Sequence, residues 1–273
     1  MSAGTSGALV LARGLGRRMQ QADGGAVLTD EQRRAADSGA KSMLPVAGRP
    51  FLDYALSSLA DAGIASVGLV VAPDHEELQR YYRVERPPER LRIEFVVQYH
   101  PRGTADAVLA AADWPRGDPF LVMNADNLYP AAVLRRLCAL DQPGLPVFSR
   151  SNLVRTSNIP DERIQSFAIV TVDDEGCLSS IIEKPDAEDF AGADASTAIS
   201  MNCWRFDERI FSFCRNVPLS SRGEFELPEA VAAAVSAGVR FKTVPARGPV
   251  LDLSTRADAQ EVERRLAGIT PRP

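Results

Sequence analysis

Over the first 140 residues, short apolar runs alternate with segments whose apolar side chains recur at helical spacing. This alternation restricts the chain more than any other feature does. Residues 8–12 (Ala-Leu-Val-Leu-Ala), 66–72, 91–98 and 119–123 read as strands. Residues 51–62, 75–84, 104–112 and 130–140 read as helices. The first helix starts after Pro50, carries Phe51, Leu52, Ala55, Leu56 and Leu59 on one face, and stops at Gly63. Strands alternating with helices at this spacing predict an α/β fold, a Rossmann-like and mainly parallel sheet flanked by helices.

The second half has a different rhythm. Strand-like runs at 167–172, 177–182 and 198–206 follow one another with turns between, and helical patterns come later at 207–214, 225–237 and 255–267. That order predicts a smaller α+β extension packed on the first sheet. No linker-like stretch separates the halves, so residues 1–273 read as one domain, with a core at about 8–150 and the extension at about 151–270. Two polar segments read as mobile: 20–39, with a short helix at 29–36, and 151–164.

Charge excludes one class of partner. With 31 basic against 36 acidic residues, the net charge of −5 argues against a nucleic-acid surface, though not against small phosphate ligands served by a few local cations. Cys138, Cys177, Cys203 and Cys214 lie far apart with no CxxC pair, so they predict buried reduced thiols and no thiolate metal site. No apolar run approaches the roughly 20 residues of a membrane span, and the first seven residues lack the basic stretch of a signal peptide. A cytoplasmic protein without a membrane partner is the expectation.

Chemistry concentrates directly after the first strand, in Leu11-Ala-Arg-Gly-Leu-Gly-Arg-Arg-Met19. Gly14 and Gly16 let backbone N–H groups turn inward as an anion-binding concavity, and Arg13, Arg17 and Arg18 stand beside it. Lys41 follows in Ala40-Lys-Ser-Met-Leu-Pro-Val-Ala-Gly-Arg-Pro-Phe51, just before an apolar run and a turn. Together these segments resemble the signature of the sugar-nucleotide pyrophosphorylase (nucleotidyltransferase) superfamily: a strand, a Gly-x-Gly-Thr-Arg loop, then Lys-x-x-x-Pro. The resemblance puts Arg18 and Lys41 at the catalytic arginine and lysine positions and Ala12, Gly14 and Gly16 against the nucleotide. It also implies the fold of that superfamily, which is of the GT-A type.

Further matches occur in the family's order. Gln98-Tyr-His-Pro-Arg-Gly-Thr-Ala-Asp-Ala107 resembles its nucleobase-reading segment, which implies nucleotide-binding roles for Gln98, Gly103 and Thr104. Gln98 can offer both a donor and an acceptor to a base edge, and Gly103 allows close backbone approach. Asn124-Ala-Asp-Asn127 resembles the Gly-Asp-Asn element, and Val250-Leu-Asp-Leu-Ser-Thr255 the late Asp-x-Gly-Thr element; these imply Asp126 and Asp252 as ligands of Mg²⁺. Ile181-Ile-Glu-Lys-Pro185 resembles the family's Glu-Lys-Pro, implying Glu183 on sugar hydroxyls and Lys184 on the sugar phosphate. Asn202 falls on a strand near the sugar, and either Glu224 or Glu226 would help hold that site.

The pattern departs from the family at Arg13, Arg17, Ala125 and Ser254, and the stretch between Gly16 and Lys41 is long. Arg13 and Arg17 either reshape the phosphate site or face water. No departure removes a charged catalytic group.

The implied reaction is attack by a phosphomonoester oxygen on the α-phosphorus of a nucleoside triphosphate, with Mg²⁺ as cofactor and a sugar 1-phosphate or cyclitol phosphate as acceptor. No base is required, and neither His75, at the start of a surface helix, nor His100, in a loop, reads as catalytic. Gln98 leans towards uridine, thymidine or adenosine triphosphate. Two other readings compete: a silent regulatory homologue, disfavoured by the retained charged set, and a glycosyltransferase, which expects Asp-x-Asp where this chain has Asn124-Ala-Asp126. Family habit allows a homo-oligomer, dimer or tetramer.

Overall fold

The computed structural model describes residues 5–14, 16–21, 28–37, 39, 41–186, 188–190 and 192–273. Ten strands form the main sheet: β1 (Gly7–Leu11), β2 (Ser66–Val71), β3 (Arg92–Val97), β4 (Phe120–Asn124), β5 (Gly144–Ser149), β6 (Ala168–Val172), β7 (Leu178–Ile182), β8 (Ala198–Ser200), β9 (Cys203–Phe206) and β10 (Lys242–Ala246). Their order is β7-β6-β8-β5-β9-β4-β1-β2-β3, with β10 also paired to β5. The pairs β1–β2, β1–β4, β2–β3 and β5–β10 are parallel, and the remaining pairs antiparallel. Followed across the sheet, those pairings leave only β7, β8 and β9 running against β1. The sheet is therefore mixed but mostly parallel in direction, as expected.

The second half is not a separate layer. Its strands extend the first sheet through β9, which pairs with β4 from Cys203 opposite Met123 to Phe206 opposite Phe120. Two strands of the sheet, β5 at the end of the first part and β10 in the second, have no expectation in the sequence. Each carries a proline, Pro146 and Pro245, which interrupts the local strand pattern. They pair with each other nonetheless, Pro146 opposite Val244 and Pro245 opposite Val147.

Two cores cover the two faces, divided by the period of two along each strand. Ala8, Val10, Leu121 and Met123 pack with Leu52, Leu56 and Leu134. Leu9, Phe120 and Val122 pack with Val108, Trp204, Phe206 and Val231. A third cluster joins Met19, Leu28, Leu44 and Phe51 to Leu251, Val262 and Leu266, binding the segment after β1 to the helix Arg256–Leu266.

Most expected helices hold to within a few residues: Phe51–Asp61, Thr104–Ala110, Ala131–Cys138 and Leu227–Ser236. The expected helix at 75–84 splits into Glu76–Arg80 and a wider π-turn, Tyr81–Glu85. There the hydroxyls of Tyr81 and Tyr82 both donate to the wholly buried Asp53 at 2.9 Å, and Arg49 Nε donates to it at 2.7 Å. The single strand expected at 198–206 breaks between β8 and β9, where Asn202 has a φ of 60°.

In the polar segment 20–39, the helix Asp30–Asp37 forms as expected; residues 22–27 and 38 lie outside the described residues. The segment 151–164 contradicts its reading as mobile. It folds into the helices Arg150–Thr156 and Asp161–Ile164, with Leu153, Ile159 and Ile164 buried. All four cysteines are free and buried. Among the described residues, no helix is long and apolar enough to cross a membrane.

Candidate active site

The site lies where β1 and β4 end side by side. Beyond Leu11, the Ala12 N–H donates to Val70 O at 2.8 Å, and Ala125 N–H donates to Leu11 O at 3.1 Å, so both strands deliver their loops to one cleft of about 540 Å³. Ala12, Gly14, Gly16, Arg18, Lys41, Gln98, Gly103, Thr104, Asp126, Glu183, Lys184, Asn202 and Asp252, every residue singled out in the sequence, line it. Leu15, within the glycine loop, is outside the described residues.

Gly16 explains how Lys41 reaches the loop. Its φ is 59°, and a Cβ there would stand 2.5 Å from Gly39 O. Only glycine lets the chain at Gly39 approach so closely. The Lys41 N–H then donates to Gly39 O at 2.8 Å, and its ammonium contacts Asp126 Oδ2 directly. Gly14 is open to the cleft, with only Lys41 Cε near the place a Cβ would take, at 3.8 Å.

The two carboxylates, distant in sequence, meet through a short antiparallel ribbon, Asn127–Leu128 against Leu251–Asp252, in which Asn127 stands opposite Asp252. Leu253 N–H donates to Asp126 O at 2.9 Å. Asp252 is held on every side. Its Oδ1 accepts from Asn127 Nδ2 at 2.9 Å and from Ser254 Oγ at 3.0 Å, while Asn158 bonds its backbone N–H and C=O, each at 2.8 Å. Arg163 Nη2 lies 3.0 Å from Asp252 Oδ2 and its Nη1 donates to Asp258 at 2.7 Å. Burial, followed by the charge of Asp126, pushes the Asp252 carboxyl up to about 6. Arg18 Nη2 reaches Ser254 Oγ at 3.5 Å, which ties the glycine loop to the same cluster.

At another end of the cleft Gln98 is buried at 3% exposure. Its amide Nε2 donates to Asp106 Oδ2 at 2.7 Å and to Gly103 O at 3.2 Å. Gly103, expected to admit a ligand, is glycine for a packing reason as well: its φ is 114° and a Cβ would run into the backbone of Phe225. The Thr104 hydroxyl accepts from Leu227 N–H at 2.9 Å, anchoring the helix Leu227–Ser236. The Arg13 side chain leaves the glycine loop for the backbone at Gln98. Its Nε donates to Gln98 O at 3.2 Å, whereas Arg17 is exposed. His75 is half-buried, not fully at the surface, and burial lowers its pKa.

Glu183, Lys184 and Asn202 also line the cleft, with the Lys184 ammonium 3.9 Å from Glu183 Oε1. Glu183 Oε2 and Asn202 Oδ1 are shut off from solvent without a hydrogen-bond partner among the described residues. Burial pushes the Glu183 carboxyl up to about 7 and lowers the Lys184 ammonium. Lys184 and Asn202 both have left-handed backbones, with φ of 50° and 60°. For a lysine that conformation costs on the order of 1 kcal/mol, and such strain gathers where ligands are held. Arg222 also lines the cleft, bonded to Glu226 through Nε at 3.1 Å and in close contact through Nη2. Of the two glutamates left open by the sequence, Glu226 is buried and ion-paired, and Glu224 is 3.8 Å from Arg222.

Sequence reasoning missed Arg222, Asn158 and Arg163, and it noted Ser254 only as a departure from the family, whereas its hydroxyl bonds Asp252. Asn158 and Arg163 carry no local signal, because their partner Asp252 lies far along the chain; Arg222 pairs with Glu226 four residues on.

Residues 36–257 match the family model described as nucleotidyl transferase, which covers well over half of the chain. The chain belongs to this family. The chain is similar to UTP--glucose-1-phosphate uridylyltransferase AglF of Haloferax volcanii, 26% identical over 266 residues that make up 95% of this chain and 96% of that one. It is also similar to a glucose-1-phosphate thymidylyltransferase of Streptomyces antibioticus, 28% identical over 97% of this chain and 67% of the relative. The chain spans about half the length, or less, of other relatives it matches, such as 41% of the bifunctional protein GlmU of Methanococcus vannielii, at 26% identity over 70% of this chain. In fold it resembles a UDP-glucose pyrophosphorylase solved with UDP-glucose, with a TM-score of 0.74 at 18% identity over 96% of this chain and 98% of that one. An inositol-1-phosphate CTP transferase from T. maritima gives 0.71 at 16% identity, over 99% and 100%.

Proposed function

We propose that this chain condenses a nucleoside triphosphate with a sugar 1-phosphate or cyclitol phosphate, giving a nucleoside-diphosphate derivative and pyrophosphate, with Mg²⁺. One observation carries the reading: Arg18, Lys41, Asp126 and Asp252, from four separate stretches of the chain, converge on one cleft that Glu183, Lys184 and Asn202 also line. The first group suits a triphosphate, the second a phosphorylated polyol. The names of the AglF and thymidylyltransferase relatives are in keeping with it.

Both reactants are anions, so the barrier lies chiefly in bringing them together in line and in handling charge. Arg18, Lys41 and the N–H groups of the glycine loop would hold the triphosphate and offset the charge that develops on the departing pyrophosphate. Lys184 would hold the acceptor phosphate. Glu183 Oε2 and Asn202 Oδ1, lacking partners, would take hydroxyl donors of the polyol. The acceptor phosphate is already ionised, so no side chain has to remove a proton.

The residues fit a magnesium ion. The Asp126 and Asp252 carboxylates lie close enough to repel each other. Asp252 Oδ2 has an ion pair with Arg163 at 3.0 Å as its contact but accepts no well-aligned hydrogen bond among the described residues. Mg²⁺ asks for one or two carboxylates and takes its remaining ligands from water and phosphate. When bound, it would supply positive charge to the triphosphate oxygens.

The cytoplasm, where nucleoside triphosphates are held, is the compartment this reading implies. The test is a matrix of UTP, dTTP, CTP, ATP and GTP against glucose 1-phosphate, other hexose 1-phosphates and inositol 1-phosphate, read by pyrophosphate release with MgCl₂. Release from at least one pair is expected. Silence across a panel of folded protein would overturn the reading.

A further inference from the structure

The turn that carries Arg18 cannot hold its shape unaided. The helix Arg17–Gln20 is four residues long and is closed by the Gln20 N–H, which donates to Gly16 O at 2.9 Å. A helix this short is unstable in water, and its last carbonyls find no donor within it. Arg17 and Arg18 are exposed, and Met19 is the one buried residue of the turn. What fixes the turn comes from far along the chain. Met19 lies in the apolar cluster with Leu251 and Leu253. Arg256, at the start of the last helix, donates from Nε to Met19 O at 2.8 Å and from Nη2 to Gln20 O at 3.2 Å. Its Nη2 also donates to Asp37 Oδ1 at 2.6 Å, and its side chain is only 12% exposed. A cation at the carbonyls that end a helix is favourable in charge as well as in hydrogen bonding. Two residues earlier, Ser254 Oγ accepts from Arg18 Nη2 at 3.5 Å and donates to Asp252 Oδ1 at 3.0 Å. The stretch 252–256 therefore carries a proposed metal ligand and two side chains that grip the Arg18 turn.

We propose that Arg256 is a positioning residue for Arg18: by gripping the carbonyls of Met19 and Gln20, it holds the Arg18 turn in place beside Asp252 before the triphosphate arrives. The inference rests on the functional reading above. Arg18 lines the cleft and Arg256 does not, so Arg256 acts through the turn and touches no ligand. A long exposed arginine on a loose backbone must lose conformational freedom when it closes on a phosphate, and a turn already held reduces that loss. Arginine suits the task because its planar fork spans two carbonyls and a carboxylate at once, which the single ammonium of a lysine cannot do.

A double-mutant cycle on the full-length protein tests this. Calorimetric titration with UTP, dTTP, CTP, ATP and GTP, in EDTA and in MgCl₂, first identifies the triphosphate that binds best. That triphosphate is then titrated into the wild type, Arg256→Met, Arg18→Ala and the double variant. Arg256→Met keeps an apolar stem and removes the donors, so affinity should fall about tenfold, as the loss of a hydrogen bond to a charged group implies. The KM for the acceptor phosphate should stay at its wild-type value. In the Arg18→Ala background the same substitution should change affinity little, because the group it positions is gone. A merely structural role would lower affinity by the same factor in both backgrounds. Arg256→Lys should restore part of the loss, and it takes the place of Arg256→Met in the cycle if the methionine variant does not fold. Unchanged affinity on replacing Arg256, or equal losses in the two Arg18 backgrounds, overturns the inference and leaves the functional reading standing. Binding of no triphosphate by the wild type overturns both.

Discussion

Arg163 Nη2 stands 3.0 Å from the Asp252 carboxylate, and the same guanidinium grips Asp258 at the start of the last helix. A segment rich in polar residues thereby becomes the buttress of a proposed magnesium ligand. Replacing Arg163 by Met leaves the carboxylates of Asp126, Asp252 and Asp258 close together and partly buried without that cation. The expected cost is about 3 kcal/mol of folding free energy, read as a lower urea midpoint. An unchanged midpoint would mean that the pair contributes little.

Catalysis should collapse without the charged set. Lys41→Ala or Asp126→Ala is expected to lower pyrophosphate release by ~10²–10³ while the far-ultraviolet circular dichroism stays that of the wild type. Near-normal turnover by Asp126→Ala in MgCl₂ would refute its role as a metal ligand, and so would full activity in excess EDTA.

Gly16→Ala should separate fold from function in another way. The added methyl meets Gly39 O and the left-handed backbone becomes strained, so the chain carrying Lys41 must move away from the glycine loop. Nucleotide affinity should fall at least as steeply as in Lys41→Ala, since the phosphate loop and the lysine are disturbed together. Wild-type affinity in titration would sink this account of the glycine.

Glu183 predicts a pH dependence of stability. Its carboxyl titrates near 7 in the folded chain instead of at 4.5, because burial penalises the charged form. Between those values the folded state binds more protons than the unfolded state, so stability falls as pH rises from about 4.5 to about 7 and then levels off. A shift of that size corresponds to about 3 kcal/mol. Glu183→Gln should flatten the slope over that window in denaturation curves taken at successive pH values. An identical slope in the variant would assign the dependence to other groups.

Asp53 organises a buried polar cluster between two helical segments. Wholly buried, it accepts from Arg49, Tyr81 and Tyr82, linking the helix Phe51–Asp61 to the π-turn. Asp53→Ala should cost about 3–5 kcal/mol by stranding those donors, and thermal unfolding would record it. A melting temperature within a degree of the wild type would contradict that role.

Much of this architecture was legible in the chain itself. The period of two in Ala8, Leu9 and Val10, and the stop signals at Pro50 and Gly63, are local, so β1 and the helix Phe51–Asp61 could be read directly. The motif order likewise marked all the cleft residues that were singled out. Strands β5 and β10 could not be read, because Pro146 and Pro245 break their pattern and pairing with distant strands stabilises them, β5 with β8, β9 and β10, and β10 with β5.

The segment 151–164 was misread for a related reason. Asn158 and Arg163 are polar, and polarity in isolation means solvent; here their partners are the backbone and carboxylate of Asp252. Arg13 offered two readings, a place in the glycine-rich turn or a side chain in water, and the structure shows instead a bond to Gln98 O. Residue types and their order determined which elements form and which chemical groups are present, because propensity and spacing act over a few residues. Which group faces which was decided by the mixed sheet and the ribbon at Asp252, since hydrogen bonds and ion pairs depend on distances of a few ångströms between segments that no local pattern relates.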